Sequence, residues 1–274
     1  MSDVANNLWL LLVEVWPVAV VFAAIALATK RGRIAQALAR SKDEFLTNVL
    51  LFAFNALVAI PLCLAPIILL EAGLRSVRLV SEEAWVDVPY AITVALAILV
   101  IDFTAYWRHR FEHSRDMWRF HATHHADTAM HWLSVQRKHP VARLLAYFTD
   151  LTLAWFLGLP VFALIAASVL RSWWGYFLHA DVPWTLGVAG RYMMSPAAHR
   201  LHHIRDEELM GHNYGNTVTL WDKLFGTYLD PAPFVNCETG IEEGTRGFLG
   251  ELARPFERRY RKSVPLNPTE TKAA

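Results

Sequence analysis

The sequence predicts an all-α integral membrane protein with three transmembrane helices, a fourth apolar region folded as a helical hairpin, and a cytoplasmic helical cap that carries clustered histidines. Three observations predict this class. Hydrophobic residues make up 54% of the chain and charged residues only 19%, which differs from a typical soluble domain in the direction of a membrane protein. Several apolar runs are long enough to cross a hydrocarbon core of roughly 30 Å. The 12 histidines are confined to residues 109–212.

Three apolar runs before residue 108 predict the transmembrane helices. They are Leu8–Thr29, Phe45–Leu70 and Val88–Trp107. The second run contains Pro61 and Pro66, which membrane helices tolerate when neighbouring groups satisfy the freed carbonyls. We therefore expect three spans, the second of them kinked.

A fourth apolar region extends from Leu144 to Leu178 and is broken at Leu157–Pro160. It is too long for one span and short for two full spans. A helical hairpin that enters the membrane and returns to the same side fits best, with two tilted full spans as the alternative.

Basic residues predict the orientation of the chain. Five of them lie between the first two spans, at Lys30, Arg31, Arg33, Arg40 and Lys42. Cytoplasmic loops are enriched in lysine and arginine, so this loop is expected in the cytoplasm. The histidine clusters and the C-terminus then face the cytoplasm as well. The near-balance of 26 basic and 25 acidic residues gives no indication of a nucleic-acid partner.

Histidine spacing identifies candidate metal ligands. His109 and His113 are four residues apart, and two HxxHH patterns occur at residues 121–125 and 199–203. Residues three or four apart share one face of a helix, so each pattern points several imidazoles in one direction. Imidazole suits iron, copper, nickel or zinc. His179, at the end of the fourth apolar region, is added because it lies at the same membrane interface.

The resulting set contains nine histidines: His109, His113, His121, His124, His125, His179, His199, His202 and His203. This number exceeds what one tetrahedral or octahedral ion can use, so two metals are predicted. None of the nine has a glutamate three residues before it, which argues against the carboxylate-rich diiron bundles. HExxH, GxGxxG and Walker motifs are absent from the sequence.

Three further residues are expected to support the ligands. Asp102 and Tyr106 lie on the same helical stripe as His109 and His113. Asp102 is predicted to accept the second N–H of a ligating imidazole, with pairing to Arg108 or capping of a kink as the alternative. Asp222 is assigned a similar role. The remaining histidines, His131, His139 and His212, lack paired spacing and are not expected to be ligands; the KHP and GHNYG segments around the last two are expected to form turns.

Four segments together resemble the membrane-bound fatty acid hydroxylase / sterol desaturase superfamily. They are DFTAYWRHRFEH (102–113), WRFHATHH (118–125), HRLHH (199–203) and NYGNTVTLWDKLFGTYLDP (213–231). The resemblance implies a centre of two non-haem iron ions that uses O₂ to attack an unactivated C–H bond of a lipid. It also implies that the nine histidines are the ligands, with His179 as the isolated one. Some relatives carry another histidine and an acidic residue where this chain has Gly175 and Gly211.

The apolar runs and the resemblance together predict a division of the chain. Residues 1–87 are expected to form N-terminal transmembrane helices and loops, residues 88–230 the catalytic domain, and residues 231–274 a polar, basic tail. The sequence contains no cytochrome b5-like domain, so electrons are expected from a separate ferredoxin or a cytochrome b5-like protein with its reductase.

Several reactions are compatible with these motifs. Hydroxylation of a membrane lipid, fatty acyl chain or sterol-like substrate is favoured, and desaturation at the same site is the alternative. A non-catalytic membrane metal-binding protein would need an ionisable path through the spans, where only Glu14, Asp102 and Asp150 are available. A bis-histidine haem protein of electron transfer would need histidines on opposing spans at membrane depth.

Overall fold

A computed structural model describes the backbone of residues 2–261 and the side chains of residues 15–260. Within this range the chain is helical, with short 3₁₀ segments, one π-helical turn at Asn55–Ala59 and no β-strand. The α-helices are α1 (Ser2–Lys30), α2 (Ile34–Phe54), α3 (Ile60–Leu62), α4 (Leu64–Ser76), α5 (Tyr90–Glu112), α6 (Arg115–His125), α7 (Pro140–Thr149), α8 (Thr152–Phe156), α9 (Val161–Leu178), α10 (Pro196–His202), α11 (Leu220–Leu224) and α12 (Phe248–Ala253). The predicted all-helical class is confirmed.

Three segments are long and apolar enough to cross a membrane: Val15–Leu62, Tyr90–Glu112 and Val161–Leu178. The number of predicted spans is confirmed, but their distribution differs. The first two predicted spans overlap one continuous helical run, whereas the fourth apolar region supplies a span of its own in α9. The expected start of the first span, residues 8–14, has no described side chains.

The run from Val15 to Leu62 is bent rather than straight. Phe22 of α1 stacks on Trp132 with ring centroids 6.0 Å apart, and Phe45 of α2 lies 5.5 Å from the ring of His131. A straight helix would separate two residues at this spacing by about 35 Å. The bend lies at the 3₁₀ segment Arg31–Arg33, where Arg31 has a φ of 45°.

The fourth apolar region breaks where the sequence predicted. Its first half forms α7 and α8, and α9 follows after the turn at Leu157–Pro160. Gly158 in this turn has a φ of 61°, and a Cβ there would lie 2.1 Å from the carbonyl oxygen of Val80. Only glycine avoids this clash.

Apolar residues of α5, α8 and α9, including Ala97, Ala154 and Ala163, form the largest buried cluster, and their small side chains let these helices approach closely.

Residues 231–261 do not form a free tail. Arg137, between α6 and α7, is completely buried and pairs with Glu44 of α2 and Glu251 of α12, each at 2.7 Å. Arg254 pairs with Glu251 at 2.6 Å. Two buried arginines and two buried glutamates therefore neutralise one another and fasten the C-terminal segment to the N-terminal helices. The part of the expected tail from 262 to 274 lies outside the described residues.

Candidate metal centre

The nine predicted ligands converge in two groups. The first group contains five histidines, whose candidate ligand atoms all lie within 4.8 Å of one another: His109, His113, His121, His125 and His202. They come from the C-terminal ends of α5, α6 and α10. The four-residue spacing on α5 and on α6 puts two imidazoles of each helix on the face that is turned toward α10.

The second group contains four histidines within the same distance limit: His124, His179, His199 and His203. His179 follows directly after α9. Neighbouring residues on a helix are about 100° apart, so His124 and His125 of α6 point into different groups. His202 and His203 divide in the same way, and the HxxHH pattern is what allows one helix to serve both groups.

Backbone carbonyls fix the tautomers of four of these imidazoles. His109 Nδ1 lies 2.9 Å from the carbonyl oxygen of Tyr214, and His202 Nδ1 lies 2.7 Å from that of His212. In the second group, the Nδ1 atoms of His124 and His179 bond to the carbonyls of Arg137 and Gly175 at 3.2 and 2.8 Å. A carbonyl oxygen only accepts, so Nδ1 must carry the proton and Nε2 its lone pair.

The Nε2 atoms so defined face one another. Nε2 of His109 and Nε2 of His202 are 3.0 Å apart, and those of His124 and His179 are 3.4 Å apart. Neither member of a pair has a proton to share, so two lone pairs meet in a buried space. Such an arrangement is unfavourable unless a cation accepts both lone pairs.

Other buried nitrogens in the groups lack hydrogen-bond partners. Nε2 of His113 and both ring nitrogens of His203 have none. Buried polar atoms are rarely left unpaired in folded proteins. These imidazoles therefore fit a metal ion as the missing partner, one in each group.

Burial keeps the imidazoles neutral. Burial lowers the pKa of His179 to about 3 and that of His202 to about 4. The hydrogen bonds to the carbonyls of Gly175 and His212 raise these pKa values, but burial has the larger effect. The pKa values of His121, His124, His125, His199 and His203 also lie well below 6.5, mainly because of burial. Neutral imidazole is the form that binds a metal, so the groups are ready to bind at neutral pH.

Glu112 is a supporting residue that the sequence reasoning missed. Its Oε2 lies 3.3 Å from Nδ1 of His121 and accepts a 2.7 Å bond from Arg108. Arg108 is held in turn by Asp150 at 2.6 Å. A carboxylate that orients a ligating histidine is common around metals. The available signal was an acidic residue within the run RHRFEH, between two candidate ligands.

Asp222 acts through the backbone instead of on an imidazole. Its carboxylate accepts bonds from the N–H groups of Tyr214 and Gly215 at 2.7 and 2.8 Å, and from Thr227 Oγ1 at 2.7 Å. It thereby holds the loop whose Tyr214 carbonyl orients His109. A Cβ at Gly215 would lie 2.8 Å from this carboxylate. Tyr106 joins the same network through its hydroxyl, 2.9 Å from Thr227 Oγ1.

Asp102 also supports a loop rather than a ligand. It is fully buried and accepts bonds from the N–H groups of Thr217 and Val218 at 3.0 Å. Its charge is paired with Arg171 of α9 at 3.1 Å, and not with Arg108. This pair connects α5 to α9.

The three histidines not expected to be ligands lie outside both groups. His131 and His139 cap the N-termini of the helical segments that follow them, and His212 contributes its carbonyl to His202. At Gly175 a Cβ would lie 3.3 Å from Val135, so a histidine there would require its neighbours to shift.

The chain is similar to a described protein family and to several known proteins. Residues 94–227 match the family model described as fatty acid hydroxylase. The chain is 30% identical over 178 residues to an ornithine lipid hydroxylase, OlsE, of Rhizobium tropici, which covers 64% of this chain and 54% of that protein. It is 30% identical over 150 residues to an alkylglycerol monooxygenase of Xenopus tropicalis, covering 54% of this chain and 32% of that protein.

The human alkylglycerol monooxygenase is 31% identical over 134 residues, which cover 48% of this chain and 29% of that protein. The matched regions thus span about half or less of each of these relatives. No solved structure matches the chain. The family match begins within α5, ends after α11 and contains all nine histidines, and this matched region of the chain belongs to the membrane-bound fatty acid hydroxylase / sterol desaturase superfamily.

Proposed function

We propose that the protein is an O₂-dependent enzyme that hydroxylates an unactivated C–H bond of a membrane lipid, with two non-haem iron ions held by the two histidine groups. The observation that carries the proposal is the pair of converging, carbonyl-fixed imidazole sets, in which Nε2 lone pairs face one another at 3.0 and 3.4 Å. Relatives named as hydroxylases and monooxygenases of lipids support the reaction class.

The overall reaction consumes two electrons and two protons. One oxygen atom of O₂ enters the C–H bond to give an alcohol, and the other leaves as water. The iron ions supply the activation of O₂. The electrons come from a separate protein, a ferredoxin or a cytochrome b5-like protein with its reductase.

The residues of this chain have three tasks at such a centre. His109, His113, His121, His125 and His202 hold one ion, and His124, His179, His199 and His203 hold the other. The carbonyls of Tyr214, His212, Arg137 and Gly175 set the direction of four imidazoles. The aromatic rings of Trp118 and Tyr214 pack against the five-histidine group and exclude water from it.

We further propose that residues 88–230 form the catalytic domain and that the site and the C-terminal segment face the cytoplasm. The five basic residues from Lys30 to Lys42 support this orientation. Labelling of a cysteine introduced at exposed Asp230, in a variant whose two native cysteines, Cys63 and Cys237, are replaced by serine, tests it. A membrane-impermeant maleimide should label this cysteine in inverted vesicles but not in intact cells, and labelling in intact cells would contradict it.

Lipid mass spectrometry tests the reaction. Cells that contain the wild-type protein should accumulate a lipid heavier by about 16 mass units than its precursor. His124→Ala should abolish this product, and His139→Asn, which changes a histidine outside both groups and keeps an acceptor at the N-terminus of α7, should retain it. A product lighter by about 2 mass units would show desaturation and contradict hydroxylation. No lipid change with the iron-loaded protein and its electron donor would overturn the proposed function.

A further inference from the structure

A cavity of about 820 Å³ lies between α1, α2 and two other segments, residues 128–132 and 180–183. Its volume is in the range of pockets that bind drug-sized molecules or parts of lipids. None of the nine histidines lines it. Two of its lining residues, Asp181 and Arg200, follow closely after the ligands His179 and His199, so the cavity adjoins the segments that carry the four-histidine group.

One wall of the cavity is apolar and built from small side chains. Ala19, Ala23 and Ala26 line it from α1, with the i, i+4, i+7 spacing of one helix face. Ala37 lines it from α2. Because the chain bends at Arg31–Arg33, these two helices diverge from the bend and leave room for a chain-like apolar group along α1.

The other side of the cavity is cationic. Four basic side chains line it, Lys30, Arg33, Arg40 and Arg200, against one carboxylate, Asp181. Asp181 is already shared between Lys30 and Arg200. Arg33 and Arg40 are exposed, and neither forms an ion pair with the described residues. Two guanidinium groups that line the cavity are therefore free of ion pairs with the described residues.

We propose that this cavity binds the anionic headgroup of the lipid substrate, through its phosphate or carboxylate, with an acyl chain along the alanine face of α1. Arginine binds both anions in a two-pronged, charge-assisted geometry. A sterol or a neutral alkylglycerol would leave these guanidinium groups uncompensated. The identification of the bound lipid as the substrate rests on the proposed function. Binding of an anionic lipid in this cavity can be measured without any turnover.

Retention of defined lipids by the purified full-length protein is the direct test. Native mass spectrometry should show that phosphatidylglycerol is retained at least about 25-fold more strongly than diacylglycerol with the same acyl chains. The variant R33Q/R40Q should lower phosphatidylglycerol retention by about 25-fold, because each basic residue near an anionic lipid contributes a factor of roughly five. The variant R31Q/K42Q is the matched control, since it removes two charges from the same stretch without changing a residue that lines the cavity. Its retention should stay within about twofold of wild type.

Equal losses in both variants would mean a diffuse attraction between the basic stretch and the membrane, and would overturn the site. No loss in R33Q/R40Q would overturn it as well. Excess inorganic phosphate should not displace the lipid; displacement would identify free phosphate as the ligand and contradict a lipid site. Equal retention of phosphatidylcholine would contradict the requirement for net negative charge.

The apolar wall has its own test. Ala23→Leu fills the cavity, whereas Ala24→Leu changes the neighbouring, equally exposed position that does not line it. Only Ala23→Leu should weaken retention of phosphatidylglycerol, and equal effects would contradict an acyl chain along this face. Retention by His124→Ala should equal that of wild type. If the wild-type protein retains phosphatidylglycerol but hydroxylates no lipid, the proposed function is overturned and the lipid site is not. If it hydroxylates only neutral lipids, the lipid in this cavity is not the substrate.

Discussion

Nε2 of His109 and Nε2 of His202 lie 3.0 Å apart, although each imidazole donates its only proton, on Nδ1, to a backbone carbonyl. This contact joins the ends of α5 and α10, which are separated by more than 80 residues in the chain. A cation between the two nitrogens turns an unfavourable meeting of lone pairs into two ligand bonds.

Removal of one ligand should release one metal. His202→Ala leaves the five-histidine group with four imidazoles and a gap beside His109. We expect the iron content to fall by about one ion per chain and hydroxylation to fall by about 100-fold or more. Metal analysis measures the iron content, and the rate of product formation measures hydroxylation. His139→Asn changes a histidine outside the groups, keeps an acceptor at the N-terminus of α7 and should leave both near wild type; equal losses in the two variants would contradict the assignment.

The loop held by Asp222 should control the orientation of His109. Asp222→Asn replaces a carboxylate, whose two oxygens each accept a backbone N–H bond, with an amide that has one accepting oxygen. We expect a loss of about 2 kcal/mol in the free energy of unfolding and a lower retained iron content. Asp230→Asn is the control, because exposed Asp230 also accepts a backbone N–H, from Ala232. Unchanged stability and iron content in Asp222→Asn would refute this role.

The pair between Asp102 and Arg171 should be sensitive to removal of one partner. Arg171→Met leaves the fully buried Asp102 carboxylate without its cation. Loss of one partner of a buried pair costs about 3–5 kcal/mol. Arg78→Met breaks a pair with Glu82 that is over one-third exposed on each side, and should cost below about 1 kcal/mol. Thermal unfolding in detergent compares the Arg171→Met and Arg78→Met variants, and similar shifts in melting temperature would contradict the prediction.

Acidification should destabilise the metal-free protein. The folded pKa values of His179 and His202 are about 3 and 4, below the ordinary 6.5. Their contribution to stability is therefore complete above pH 6.5 and is lost as the pH falls toward 4 and 3, because the unfolded chain takes up protons first. The melting temperature of the metal-free protein should fall between pH 7 and pH 5. A constant or rising value over this interval would contradict neutral, buried imidazoles.

The four-residue spacing predicted pairs that do meet: His109 with His113, His121 with His125, and His199 with His203. The expectation that a whole HxxHH pattern points in one direction was wrong, because His124 and His202 lie in the other group from the histidines three residues before them. Spacing identified eight of the nine histidines, and His179 was added from its position at the end of the fourth apolar region. The break at Leu157–Pro160 was visible as well, because glycine and proline interrupt an apolar run.

The supporting contacts were harder to predict. Four of the groups that orient imidazoles are backbone carbonyls, which leave no trace in side-chain type. Asp102 and Asp222 were recognised as important, but their partners, the N–H groups of residues 214–218, lie on a loop whose path depends on tertiary packing. The burial of Arg137 with Glu44 and Glu251 joins residues up to 207 positions apart, and local composition indicated only a polar tail.

The number of metal ions per chain tests the central claim most directly. Protein purified after expression with iron should contain about two non-haem iron ions per chain by elemental analysis, without a haem Soret band. These nine histidines form two groups, and each should bind one ion. A folded, membrane-inserted protein that binds one ion or none under iron-replete conditions, or that binds haem, would contradict the account.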